Sequence, residues 1–402
     1  MTLPPYAVVW LLLVVAWAAN FAIRIGFSAL LPPIIADLDL SYTRAGVLAG
    51  AFFWAYVAMQ IPAGLLGDRF GRRRVLLLGL VGGAAACALT GAAGSFAMLV
   101  IARVLTGACQ GSLFSNDRAI IVAVTPRDKI GLGQGVSFSG PGIGLTLGLL
   151  LGGVLGERLS WRPTLWLFAL GPIVAALCIA RWVPAPPPAA GTGRAGARLR
   201  AVLGRSRLWL LGAVGACGIY VQFVLATWGP LFFAETGVEQ LGRAGTYASV
   251  QGLAAVAGLI AGGWTDDRMR RRGRGHAVVI AVGLGALSLS VAAMAGAIGS
   301  RSPVGLAGAL FVAAFFCWSI WAAVYALLGE MVSDERLGTA FGALNSLSFL
   351  GAVVGPPLTG WVRDAAGSFA PACLLAAAVA LTGAVMTIGL RPPASPPRAD
   401  PT

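Results

Sequence analysis

The sequence predicts an all-α membrane protein with twelve transmembrane helices in two pseudo-symmetric six-helix bundles. Three observations carry that prediction. Of 402 residues, 58% are hydrophobic and only 11% are charged, against roughly 25% charged in a soluble domain, and the mean hydropathy is +0.83. Twelve apolar runs approach or exceed the ~20 residues a helix needs to cross hydrocarbon. Basic residues gather in alternate loops, which sets an orientation for every crossing.

Taken in order, the first six spans fall at 7–35, 45–66, 75–93, 96–124, 130–157 and 161–183. No basic stretch precedes the first run, and it is longer than a signal-peptide core, so it reads as a retained span. Short turns separate spans 3 and 4 at Ala93–Ser95 and spans 9 and 10 at Ser300–Pro303. The segment 184–207 opens with Pro184-Ala-Pro-Pro-Pro and carries Arg194, Arg198, Arg200, Arg205 and Arg207. Such a stretch cannot bury in lipid and reads as a linker between bundles. Six further spans fall at 208–236, 244–265, 276–298, 303–331, 338–362 and 368–390, before a Pro-rich tail. The expected divisions are an N-terminal bundle 1–183, a linker 184–207, a C-terminal bundle 208–390 and a disordered tail 391–402.

With the N-terminus inside, the inner loops, linker and tail hold nineteen basic residues and the outer loops six. That asymmetry predicts both termini in the cytoplasm. It also accounts for the net charge of +14 through membrane topology, without nucleic acid. The six cysteines lie within apolar runs with no C-x-x-C pair and read as small hydrophobes, without disulfide or metal.

The halves repeat. Gly64-Leu-Leu-Gly-Asp68-Arg69 after span 2 matches Gly263-Trp-Thr-Asp-Asp267-Arg268 after span 8, and Gly140-Pro141 in span 5 matches Gly355-Pro356 in span 11. Parallel six-span repeats are a transporter architecture.

Gly64-Leu-Leu-Gly-Asp68-Arg69-Phe-Gly71-Arg72-Arg73-Arg74 resembles the loop 2–3 signature of the major facilitator superfamily. Arg103-Val-Leu-Thr-Gly107 in span 4 resembles its second motif, and Gly140-Pro141-Gly-Ile-Gly144 its span 5 proline-glycine element. Within that superfamily, Asn20, Arg24, Leu31-Pro32-Pro33, Trp54-Ala-Tyr56 and Gln60-Ile-Pro62-Ala-Gly64 are most similar to the anion:cation symporter and organophosphate-exchanger branches. The resemblance implies alternating access and an arginine of span 1 that binds an anionic substrate. Those symporters commonly carry Asp before that arginine and Glu seven residues after the span 4 arginine. Here the positions hold Ile23 and Gln110, neither of which can release a proton. The span 5 element resembles one linked to exchangers, which keeps antiport open.

Three arginines fall inside spans: Arg24, Arg103 and Arg118. Each costs about 2.5–3.5 kcal/mol at mid-helix. Asn20, Arg24 and Ser28 share one helical face and are expected to face a central cavity. Arg24 can clamp a carboxylate or phosphate, because guanidinium forms a bidentate fork with such groups; the alternative is an internal ion pair. In span 4, Arg103, Thr106, Gln110 and Asp117 share a face. Asp117 is the remaining intramembrane carboxylate, a titrating group or a latch with Asp68, Arg69 or Arg72, and Arg118 lies beside it. Asp68 is expected to face a helix N-terminus or an arginine across the bundle interface. Tyr56, Gln60, Tyr220, Gln222, Trp318 and Asn345, together with Trp228, Gln251, Trp321, Tyr325 and Ser346, are further candidates for the cavity wall. Asp68, Arg69, Arg72, Arg103, Gln110, Asp117, Arg118, Asp267 and Arg268 are the candidates for coupling or gating.

The single histidine, His276, begins span 9, a poor position for a ligand. The single lysine, Lys129, lies outside any G-x-x-x-x-G-K-[ST] loop, so ATP hydrolysis, an enzymatic role, a metal and a cofactor are all unexpected. The expectation is a monomeric secondary transporter of a bacterial inner membrane, carrying a small organic anion (a carboxylate, sugar acid or organophosphate) with a proton, sodium or counter-anion as coupling ion. The competing expectations are a proton-coupled exporter of drugs or metabolites with the same fold, and a membrane-embedded sensor without flux.

Overall fold

The computed structural model describes residues 4–126, 129–137, 139–185, 202–332 and 334–390. Most of the expected linker and all of the expected tail lie outside the described residues. Twelve helices are long and apolar enough to cross a membrane: α1 (Pro5–Ala29), α2 (Tyr42–Phe70), α3 (Arg72–Gly91), α4 (Phe96–Val124), α5 (Leu132–Leu159), α6 (Trp161–Trp182), α7 (Ser206–Glu235), α8 (Leu241–Arg271), α9 (His276–Gly299), α10 (Pro303–Met331), α11 (Thr339–Ala366) and α12 (Ala370–Leu390).

Local chemistry places the ends of these helices. Ser41, Ser95 and Ser302 cap α2, α4 and α10, each hydroxyl accepting from the backbone N–H three residues on. Gly71 closes α2 at φ +96°, a left-handed conformation that glycine adopts without a Cβ penalty. The first apolar run ends earlier than expected, because Pro32 and Pro33 start a separate short helix, Leu31–Asp37. Helix α4 is interrupted at Ser112. Pro141 lies inside α5, where its missing N–H removes one backbone hydrogen bond of the helix.

Each bundle repeats one set of contacts. Helix α1 packs on α5 as α7 packs on α11, α2 on α4 as α8 on α10, and α3 on α6 as α9 on α12. Two larger seams join the bundles, α2 against α11 and α5 against α8, and a pseudo-twofold axis exchanges them. Small residues allow the close approach. A Cβ at Gly148 would lie 2.9 Å from the Gly26 nitrogen and 3.0 Å from the Ala22 oxygen, so backbone meets backbone where α5 crosses α1.

The start of α1 and the end of α12 lie on one face of the spans, as twelve crossings require; it is the linker face. The bundles are sealed on the opposite, far face. The Tyr42 and Thr43 N–H groups at the start of α2 donate to the Asp364 carboxylate at the end of α11, at 3.0 and 2.7 Å. Across the other seam the Gly242 N–H at the start of α8 donates to Glu157 at the end of α5, at 2.7 Å. Each is a carboxylate set on a helix N-terminus of the other bundle, favourable for both its hydrogen bonds and the helix dipole. Aromatic rings deepen the seal, with Phe53 and Phe223 4.2 Å apart and Tyr42 5.5 Å from Phe369.

Candidate functional site

Beneath that seal, in the linker-side half of the molecule, the bundles part around a cavity of about 60 Å³. Trp17, Phe21 and Arg24 line it from α1, Tyr56 from α2, and Phe114 and Arg118 from α4. Gln222 lines it from α7, Trp318, Trp321 and Tyr325 from α10, and Asn345 and Phe349 from α11. Its depth follows from the helix directions: Phe114, Arg118 and Tyr325 lie in the stretches of α4 and α10 that end on the linker face.

Arg24 is the charged centre of this wall. It is 2% exposed, and its Nε donates to Gln110 Oε1 at 3.2 Å, while Nη1 and Nη2 have no hydrogen-bond partner. Gln110 is held in turn by donating from Nε2 to the Asn20 carbonyl at 3.2 Å. Aromatic faces surround the guanidinium, with its central carbon 4.4 Å from the Phe21 ring centroid and 4.6 Å from that of Tyr56. Ring quadrupoles offset part of the desolvation cost of the cation. They supply no acceptor for Nη1 and Nη2, which stay buried without a hydrogen-bond partner, and a guanidinium in that state can take a bidentate oxyanion.

The other expected wall residues divide. Tyr56, Gln222, Trp318 and Asn345 line the cavity, as do Trp321 and Tyr325. Asn20 does not: its amide donates back to the Ala16 carbonyl at 2.8 Å, and its Oδ1 faces Gly83 of α3. The face of α1 that reaches the cavity is Trp17–Phe21–Arg24, spaced four and three residues apart, where the sequence analysis chose Asn20–Arg24–Ser28. Polarity misled that choice, because a buried asparagine can satisfy part of its amide on its own helix. Gln60 lies at the α2–α11 seam and accepts from Asn345 Nδ2 at 2.7 Å. Tyr220 is buried where α7 meets Gly355 of α11 and is absent from the wall, and Trp228 stacks at the far-face seal, 6.1 Å from Tyr42. Phe21, Phe114, Phe349 and Trp17 were missed; only their helical spacing from Arg24, Arg118 and Asn345 could have marked them.

Several gating expectations change. Asp68 pairs with Arg72 in the same motif, not with a group across the bundles, and Arg69 is exposed over Phe70. Asp117 does not latch to Asp68, Arg69 or Arg72. Its Oδ2 accepts from Arg118 Nε at 2.9 Å and from Trp17 Nε1 of α1 at 2.8 Å. Arg118 also reaches Gln134 and Ser137, so its charge is shared out before it meets the cavity. Arg103 is buried against Phe27 and Phe52, 4.2 and 4.5 Å from their centroids, and lies off the cavity wall. In the second half, Asp267 and Arg268 are exposed. The buried acid is Asp266, bonded to His276 Nδ1 at 2.8 Å, and His276 Nε2 meets Glu330 at 3.1 Å. His276 thus ties the linker-side ends of α8, α9 and α10 together.

The family model of the Major Facilitator Superfamily matches residues 9–300 and 273–402. The chain belongs to the major facilitator superfamily. The 3-(3-hydroxy-phenyl)propionate transporter of Escherichia coli (strain K12) is 29% identical over 342 residues, 81% of this chain and 82% of that protein. The hexuronate transporter of Bacillus subtilis (strain 168) is 23% identical over 94% of this chain and 93% of its own length. In fold the chain is similar to a bacterial homologue of the human lysosomal transporter Spinster, crystallised in an inward-facing and occupied conformation. The TM-score is 0.78 at 19% identity, over 97% of this chain and 96% of that one. This superfamily member is therefore a multi-pass membrane protein, and the two relatives just named are transporters of organic acids.

Proposed function

We propose that this protein is a secondary active transporter that moves a small organic anion across a bacterial inner membrane by alternating access. One observation carries the reading: Arg24 brings two buried guanidinium nitrogens, Nη1 and Nη2, without hydrogen-bond partners, to the wall of the cavity between the bundles. No carboxylate pairs with it among the described residues, so the empty site holds an uncompensated positive charge that an anionic substrate neutralises. The names of the relatives support an organic acid. The linker face, rich in arginine, is the cytoplasmic one by the positive-inside rule, with both termini on it. Closure of the far face then makes this conformation inward-facing, and separation of the α2–α11 and α5–α8 seams gives the opposite state. Domain boundaries near 184 and 207 follow from the linker composition.

Coupling by the usual carboxylates has no support here. Ile23 and Gln110 occupy the acidic positions, and Asp117 is engaged by Arg118. Exchange against a second anion suits a site that is charged when empty. The aromatic lining would also suit export of apolar compounds, but an unneutralised guanidinium repels cations.

The test is uptake into proteoliposomes from a panel of labelled organic acids under imposed proton, sodium and counter-anion gradients. Arg24→Gln is expected to abolish uptake and Arg24→Lys to reduce it at least about tenfold, since an ammonium cannot reproduce the fork. Unchanged anion uptake in a folded Arg24→Gln protein would end this reading.

A further inference from the structure

We infer that the substrate is an aryl-substituted carboxylate, with the carboxylate on the Arg24 fork and the ring held between the two bundles. This rests on the anion-transport reading and goes beyond it, since that reading admits sugar acids, organophosphates and aliphatic acids equally.

The balance of rings and polar groups in the cavity carries the inference. A sugar acid carries a hydroxyl on nearly every carbon, and each one stripped of water needs a partner in the site. The Trp318 and Trp321 indole N–H groups and the Tyr56 hydroxyl could each serve one such group, but several other polar side chains are committed. Asn345 gives its amide to Gln60, Arg118 gives its donors to Asp117, Gln134 and Ser137, and the Trp17 indole N–H goes to Asp117. Gln222 contributes one unpartnered oxygen. Against this stand eight aromatic side chains among the fifteen that line the space.

These rings are contributed by both halves of the protein. Phe21, Tyr56 and Phe114 come from the N-terminal bundle, and Trp318, Trp321 and Phe349 from the C-terminal one. Tyr56 and Phe349 already approach to 5.0 Å between centroids across the interface. A planar ring entering here stacks on or edges against rings of both bundles, an arrangement with favourable geometry beyond its buried area. Contact with both bundles is also what a substrate needs if its binding is to influence their closure.

The test is isothermal titration calorimetry on the purified full-length protein in lipid nanodiscs, with four probes: 3-phenylpropionate, heptanoate, glucuronate and neutral 3-phenylpropanamide. The inference expects 3-phenylpropionate to bind at least about tenfold tighter than heptanoate or glucuronate, and the amide to bind far more weakly than the acid. Trp318→Leu is expected to shrink the advantage of 3-phenylpropionate over heptanoate by roughly three- to tenfold. Phe349→Leu replaces it if the first variant does not elute as a single species, and the wild-type ranking decides on its own. Glucuronate or heptanoate binding as tightly as the aryl acid overturns the inference; if Arg24→Gln then removes that binding, the anion-transport reading stands without it. An amide that binds wild type and Arg24→Gln as tightly as the acid binds wild type overturns both.

Discussion

At the scale of single residues, the pair Arg24 and Gln110 sets the charge of the cavity. The Gln110 carbonyl satisfies one of the arginine's donors without neutralising it, leaving the two terminal nitrogens for a ligand. Gln110→Glu tests that balance, because it sets a carboxylate in hydrogen-bond reach of Nε. At neutral pH the new acid should pair with Arg24 and weaken anion binding by about tenfold or more. Binding of 3-phenylpropionate measured at neutral pH checks this; an affinity equal to wild type contradicts it. His276 shows a different use of a buried polar side chain: bridging Asp266 and Glu330, it ties three helix ends together.

At the scale of helices, the seam between α1 and α5 is set by backbone approach, not by large side chains. Lipid supplies no hydrophobic drive for helices to associate, so contact area between small residues has to do so. Gly148→Val is expected to lower stability by about 1–3 kcal/mol, because the added carbons meet backbone atoms of Ala22 and Gly26 that cannot rotate away. A fall of several degrees in the thermal midpoint in detergent, with α1 displaced, is the expected outcome. An unshifted midpoint would mean that the two helices have room to separate. The same seam positions Arg24, which lies between Ala22 and Gly26 on α1, so loss of anion binding should accompany the loss of stability.

For the whole molecule, closure of the far face rests on two related contacts. Asp364 on the start of α2 and Glu157 on the start of α8 occupy positions exchanged by the pseudo-twofold axis. Hydrogen bonds to a charged group contribute about 1.5–3 kcal/mol each, so removing the charge from both should shift the equilibrium by tenfold or more towards opening on that face. The double variant Asp364→Asn, Glu157→Gln is therefore expected to show a larger population of long distances between spin labels at positions 44 and 301. A distance distribution identical to wild type would show that the aromatic seal suffices alone. Neither acid touches the cavity, so the effect on transport should appear as a changed rate of interconversion.

Span number, its even parity, the two-bundle repeat and the presence of Arg24 inside a span could all be read from the sequence. Hydrocarbon imposes a length and a polarity on every crossing, and a guanidinium at mid-membrane depth is too costly to be incidental. The partners of the polar residues could not be read this way. Asn20 turning to its own helix, Asp117 pairing with its neighbour Arg118, Asp266 and not Asp267 being the buried acid, and the ring of aromatics completing the cavity all depend on helix rotation. Rotation is set by packing between helices distant in sequence, at glycine seams such as α1–α5, and a shift of one residue (about 100° around the axis) exchanges a cavity wall for a lipid face.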